Sequence, residues 1–225
     1  MTAGEIIRKV RAALDELASL SVGEEMDYDS ENVDAIIKDK IGYALNWVLQ
    51  NAPQNMIDSS MVTSYGGGQT ADGGNLKMSF GYDNVVTVEL PDTLLRLLSA
   101  RLSSWLYSPV PVNEFSAVAL MQQGRTTKGC PDMPVNVLCT ENGKSVLKMY
   151  TADSRADTLS IQLITKADTA GGESSGEWNI PAKLEKSLIY YIAYLTALAF
   201  RDGTATAFLS VAMDELGVRT SSSEQ

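Results

Sequence analysis

The stretch KLEKSLIYYIAYLTALAFRDGTATAFLSVAMDEL, residues 183–216, contains fourteen consecutive residues without a formal charge, from Ser187 to Phe200. Such a run is either a membrane span or the centre of a folded core. A spanning helix needs about 20 mostly apolar residues to cover about 30 Å of hydrocarbon. This run is shorter, holds three tyrosines and a threonine, and is bounded by Lys186 and Arg201. At about 1.5 Å per residue it reaches only about 21 Å. A soluble, buried helix is therefore expected over 182–201, with Pro181 in its first turn and Gly203 stopping it. Thr204 is expected to cap a last helix that ends at Gly217.

Along the 182–201 helix, Leu184, Leu188, Tyr191, Leu195 and Leu198 form one stripe, and Ile189, Ile192, Thr196 and Phe200 an adjacent one. More than half the circumference is apolar or aromatic, more than one helix contact covers. One explanation is a central helix among three neighbours of the same chain. The other is that Tyr190, Tyr194 and Phe200 face another subunit, because a tyrosine joins apolar area to a polar tip. The main stripe includes Tyr191 and leaves out Tyr190 and Tyr194, which places those two at an interface and Tyr191 in the core.

Working outward, the chain opens with a helical pattern over 3–20, with apolar positions at Ile6, Val10, Ala13, Leu17 and Leu20 and a capping box of Thr2 and Glu5. It lacks the basic and apolar regions of a signal peptide, so an intracellular protein without membrane contact is expected. After the acidic connector SVGEEMDYD, Ser30 is positioned to cap a second helix. Its stripe runs through Val33, Ile36, Ile37, Ile41, Ala44, Leu45, Val48 and Leu49 and ends before Pro53.

From Pro53 to about residue 178 the apolar period is close to two. LKMSF and NVVTVELP flank a short GYD link, VNVLCT and SVLKMY are joined through Asn142 and Gly143, and DTLSIQLITK follows. Asn-Gly favours a type I′ hairpin turn because both residues tolerate positive φ. Residues 92–106 fit a helix less well than a turn followed by a strand with Leu98, Ala100 and Leu102 on one face. Residues 113–123 read as a short inserted helix, and ADTAGGESSGEWNIP as a polar connector.

The fold class expected is α+β: a helical bundle made by the N- and C-terminal helix pairs, with a β-rich domain inserted between them. The boundaries are 1–53 plus 179–217 for the bundle, 54–178 for the insert, and 218–225 for a flexible tail. At 225 residues a compact fold buries roughly 70% of its unfolded surface, enough for a sizeable core.

Composition excludes several chemistries. There are 28 acidic and 18 basic residues, a net charge of −10, and no basic run, which disfavours binding nucleic acid through a broad basic surface. No histidine is present, so His-based triads, His-ligated zinc and imidazole acid–base catalysis are ruled out. Cys130 and Cys139 form no CxxC pair and are expected as free or buried thiols. YGGGQTADGGNLK, 65–77, lacks the lysine and hydroxyl of a phosphate loop and reads as a mobile or partner-contacting loop. Glu24, Glu25, Asp27 and Asp29 lack EF-hand spacing and read as an exposed acidic connector, and Asp153 and Asp157 as turn residues. No catalytic residue, metal ligand or cofactor site is expected.

Three segments carry a family resemblance: ELPDTLLRLLSARLSSW (89–105), QGRTTKGCPDMPVNVL (123–138) and IPAKLEKSLIYYIAYLTALAFRDGTATAFLSVAMDEL (180–216). Together they resemble the head-to-tail adaptor proteins of tailed bacteriophages, nearest to the tail tubular A proteins of short-tailed phages and the ring proteins of crAss-like gut phages. Thr93 and Leu94 stand where that family carries an acidic and an aromatic residue, and the glycine loop at 65–75 has no counterpart. The resemblance implies a non-enzymatic virion protein, a subunit of a twelve-membered ring beneath the portal. The genome passes through the ring without sequence-specific binding, and the β domain is presented to the next tail protein. An enzyme of carboxylate or cofactor chemistry, or another virion β module, are the rival expectations.

Overall fold

The computed structural model describes residues 1–18, 31–67, 76, 78–81, 84–124, 127–151, 158–167 and 177–218. It is a mixed α+β protein with helices at both ends and a β-rich middle. Two compact units divide it: Met1–Ser59 with Ala167–Gln225, and Ser60–Lys166.

In the first unit, α1 spans Ala3–Ala18 and α2 Glu31–Asn51. The capping box forms as the spacing suggests: Thr2 N–H donates to Glu5 Oε2 at 2.8 Å, and Glu5 N–H to Thr2 Oγ1 at 3.2 Å. Ile6, Val10 and Ala13 are buried, and so is Leu14, which the expected stripe omitted. In α2, Val33, Ile37, Ile41, Ala44, Leu45, Val48 and Leu49 are buried, while Ile36 is half-buried at the margin of the stripe. Ser30, the acidic connector and Leu20 lie outside the described residues.

The closing pair is α4, Glu185–Ala199, and α5, Ala205–Glu215; a short α3, Ala117–Met121, lies in the other unit. Helix α4 packs against α1, α2 and α5, so three neighbours account for its apolar circumference. The expected stripe holds at Leu184, Leu188 and Tyr191 but not at Leu198, which is exposed. A row spaced by 3.5 residues drifts by about 20° per heptad around a 3.6-residue helix. Toward the C-terminus Ile192, Ala193, Thr196 and Ala197 take over the buried side. Buried Ser187 donates to Ala212 O at 2.9 Å and Thr196 to Ile192 O at 2.9 Å, so neither hydroxyl is left unsatisfied.

The helix ends differ from expectation. Gly203 does not stop α4; Arg201 does, with φ 57°. Arg201 N–H donates to Leu198 O at 3.0 Å and Asp202 N–H to Ala197 O at 2.9 Å, a Schellman motif with arginine in the left-handed position. Thr204 does not cap α5 through its side chain. Asp202 Oδ1 accepts from both Thr204 N–H and Thr204 Oγ1, each at 2.8 Å. Helix α5 ends in the same motif, with Gly217 at φ 68° and Val218 N–H on Met213 O at 3.1 Å.

The boundaries fall inside the expected insert. Residues 54–59, 167 and 177–178 group with the helices. Ala167 N–H donates to Asn46 Oδ1 at 2.7 Å, Trp178 N–H to Met1 O at 2.8 Å, and Glu177 bridges to Thr2. Trp178 is itself buried. Residues 219–225, most of the expected tail, lie outside the described residues.

The second unit packs two sheets face to face. Strands β1 (Thr63–Gly67), β2 (Met78–Phe80), β3 (Val85–Glu89), β4 (Leu94–Leu102), β5 (Val112–Asn113), β6 (Val135–Glu141), β7 (Lys144–Tyr150) and β8 (Leu159–Thr165) are joined in the orders β1-β8-β4 and β2-β3-β7-β6-β5. Val86, Val88, Leu147 and Met149 of the larger sheet and Ala100, Leu102, Ile161 and Leu163 of the smaller share one core with Trp105. The Asn142–Gly143 turn has φ 51° and 78°, so both residues are left-handed as the hairpin requires.

Residues 92–106 do form a turn and strand, but the face is not the expected one. Leu97 pairs with Leu163 and Ser99 with Gln162, so Leu98 is the extra residue of a bulge. The phase shifts there, and Leu97 packs toward the core with Ala100 and Leu102 in place of Leu98. Strand β1 was not foreseen either. Tyr65 to Gly67, read as the start of a glycine loop, pair with Ile161 to Leu159, while 68–75 lie outside the described residues.

Candidate interaction surfaces

On α4, Tyr190 and Tyr194 lie one turn apart, and Leu198 extends the row at the next turn. Both tyrosines are half-buried. Tyr190 reaches within its own chain: its hydroxyl donates to Glu16 Oε2 at 3.2 Å, and burial, then this carboxylate, push its pKa up. Tyr191 is buried and lies flat on Trp47, centroids 3.8 Å apart and planes 6° apart. Its hydroxyl is raised strongly, first by burial and then by the hydroxyl of Tyr43, to which it is hydrogen-bonded. Tyr194 leans on Tyr191 at 5.6 Å and 39°. Tyr43, 58% exposed, continues this aromatic group on α2. Phe200 is not part of the row; it is the half-buried C-cap of α4, six residues beyond Tyr194.

The β unit carries most of the exposed large apolar side chains, a concentration that sequence reading missed. Of the ten large apolar or aromatic side chains exposed among the described residues, eight lie between Leu106 and Met133. Leu106, Tyr107 and Val110 come from the segment after β4. Phe115, Val118, Leu120 and Met121 come from the N-terminal approach and outer side of α3, Ala117–Met121. Met133 closes the Cys130–Met133 turn, where the two residues exchange backbone hydrogen bonds at 3.2 and 2.7 Å.

The backbone beneath these side chains is anchored. Trp105 Nε1 donates to Thr151 O at 2.9 Å, Ser108 Oγ bonds both polar backbone atoms of Ala100, and Leu106 N–H reaches Pro131 O at 3.4 Å. Asn136, fully buried on β6, donates through Nδ2 to Ala100 O at 2.9 Å and Pro109 O at 3.3 Å. Ser116 caps α3 by accepting from Ala119 N–H at 3.2 Å. Gln122 closes it by donating to Val118 O and accepting from Gly129 N–H, at 3.0 and 2.8 Å. Ala119 is buried, and α3 packs on β5 and β6. A β-carbon on Gly129 would stand 2.8 Å from Met133 O, so the return of this segment requires glycine.

A depression of about 710 Å³ lies on the larger sheet, lined in part by Met78, Thr87, Glu89, Glu141, Lys144 and Val146. Lys144 pairs with Glu89 at 3.2 Å, and Lys148 with Glu141 at 2.5 Å, so both carboxylates are engaged. Cys139, buried nearby, has its thiol pKa raised by burial, and Cys130 is exposed. Among the described residues no three acidic, cysteine or histidine side chains gather as a metal site, and no helix is long and apolar enough to cross a membrane. Compared with known protein families and with characterised proteins, the sequence matches no family model and no relative.

Proposed function

We propose that the chain is a structural subunit of a larger assembly and not an enzyme. The observation that carries this reading is the apolar surface of the β unit. Exposed aliphatic and aromatic side chains stand there on an anchored backbone, in a chain whose net charge is −10. Surfaces of this kind mark contacts with other macromolecules.

More particularly, the chain reads as a head-to-tail adaptor of a tailed bacteriophage. The order of helices, β-rich middle and helices supports this, as do the three segments that resemble such adaptors. In this reading the two helix pairs form one bundle and twelve chains form a ring beneath the portal protein. The β unit meets a tail protein, and Tyr190 and Tyr194, with Leu198, lie at a subunit boundary. A ring wall of net negative charge lets DNA pass without adhesion. Quantitative mass spectrometry of purified particles tests the reading. About twelve copies per virion are expected on the stoichiometry of such rings, and absence from particles would remove it.

A further inference from the structure

We propose that Asn142 is a site of spontaneous covalent modification, deamidation through attack by the Gly143 nitrogen, and that the turn of the β6–β7 hairpin holds this reaction in check. The site is independent of the assembly reading.

Sequence supplies the reactivity. Asn142–Gly143 is the one Asn-Gly pair in the chain, and glycine has no side chain to crowd its own nitrogen during ring closure. Both residues are exposed, so water and hydroxide reach them. The Gly143 nitrogen gives its proton to hydroxide and bonds to Asn142 Cγ. The Cγ–Nδ2 bond breaks, and ammonia leaves with a proton taken from water. The five-membered succinimide then takes up water at either carbonyl. Opening at one gives aspartate; opening at the other gives isoaspartate, whose main chain runs through Cβ.

The fold opposes the first step. Asn142 at φ 51° and Gly143 at φ 78° make the left-handed two-residue turn that closes the Glu141–Lys144 pair. In a type I′ turn, the mirror of type I, the first central residue has ψ of about +30°. At that ψ the tetrahedral geometry of an L-residue sets Cβ nearly opposite the Gly143 nitrogen across the Cα–C bond. Ring closure needs the two on the same side. Rotating ψ to bring them together takes the backbone out of the turn and breaks the Glu141–Lys144 pairing. Modification therefore proceeds from an opened hairpin end, at the unfolded-chain rate multiplied by the fraction of time that end is open.

The two products leave different marks. Aspartate tolerates the left-handed conformation and adds a negative charge beside Glu141. Isoaspartate adds a main-chain carbon, which a two-residue turn between paired Glu141 and Lys144 does not accommodate. Lys144 is then drawn away from Glu89, with which it pairs at 3.2 Å. Because ammonia is lost, the change is one-way and accumulates in chains whose hairpin opens.

The test is peptide mapping by mass spectrometry of the full chain held at mildly alkaline pH, either folded in buffer or unfolded in guanidinium chloride at the same pH. The mass gain from amide to acid is followed at Asn142. Asn136 of the same tryptic peptide, buried and followed by Val137, is the internal control. Asn142 is expected to react more than about tenfold slower in the folded chain, a factor that an opening free energy of about 1.4 kcal/mol already gives. Val146→Ala, a truncation at a buried position of β7, should speed the folded-state reaction several-fold, whereas Val10→Ala, in the core of the other unit, should not. Equal rates in the folded and unfolded chains, or an Asn142 that stays intact even when unfolded, overturns the proposal, and this comparison stands whether or not the variants fold. A folded-state rate that Val146→Ala leaves unchanged, or that Val10→Ala raises as much, overturns it as well.

Discussion

Tyr191 and its neighbours show how adjacent residues on one helix take different roles. Tyr191 is buried flat against Trp47, so Tyr191→Ala should cost about 3–5 kcal/mol, as aromatic truncation in a core does. Tyr190 and Tyr194 are half-buried, and either alanine variant should cost about 1–2 kcal/mol, within the usual range for partial burial. Chemical denaturation of the three single variants measures the order directly, and equal losses would contradict it. The helical period of the sequence separates Tyr191 from the other two, but it contains no sign of the Trp47 stack or of Glu16 beneath Tyr190. Those contacts depend on how neighbouring helices are rotated. At the N-terminus of α1, the Thr2 N–H holds the Glu5 carboxyl below its ordinary pKa. A depressed carboxyl stabilises the folded state above its unfolded pKa, and that contribution is lost as pH falls through the folded value. Amide exchange of the first turn of α1 should therefore quicken as pH drops below about 4.3, after correction for intrinsic rates. Glu5→Gln should flatten that dependence.

The elements were legible where apolar periodicity was long. Both helix pairs and the hairpin at Asn142–Gly143 follow from spacing and turn chemistry. Strand β1 was hidden because Ser64, Gly66 and Gly67 offer no alternating apolar face, and it exists by pairing with β8. The Leu98 bulge was hidden because an extra residue leaves composition unchanged while reversing the face. The apolar surface at 106–133 was hidden because exposure cannot be read from a run such as LYSPVPVNEF. Its one available signal was apolar residues between prolines without helical or strand period. Helix ends yield a paired prediction. Arg201 at φ 57° carries the steric cost of a left-handed β-carbon, so Arg201→Gly should stabilise by about 0.5–1 kcal/mol. Gly217→Ala, at the equivalent position of α5 with φ 68°, should destabilise by about 1 kcal/mol. Thermal melts of the two variants moving in the same direction would contradict the Schellman assignment.

For the whole molecule, two units enclose their own cores while a large share of the exposed apolar surface gathers on the second. A protein that functioned alone would gain solubility by replacing Val110 and Phe115 with polar residues, since neither supports the core. On the adaptor reading, their apolar character is what a contact with another protein of the assembly would require. The most direct measurement is negative-stain imaging of the full chain mixed with the portal protein of the same phage. The account predicts a ring of twelve chains seated on the portal, with the β units projecting away from it. Free chains beside bare portals, at concentrations where both proteins are folded, would contradict it.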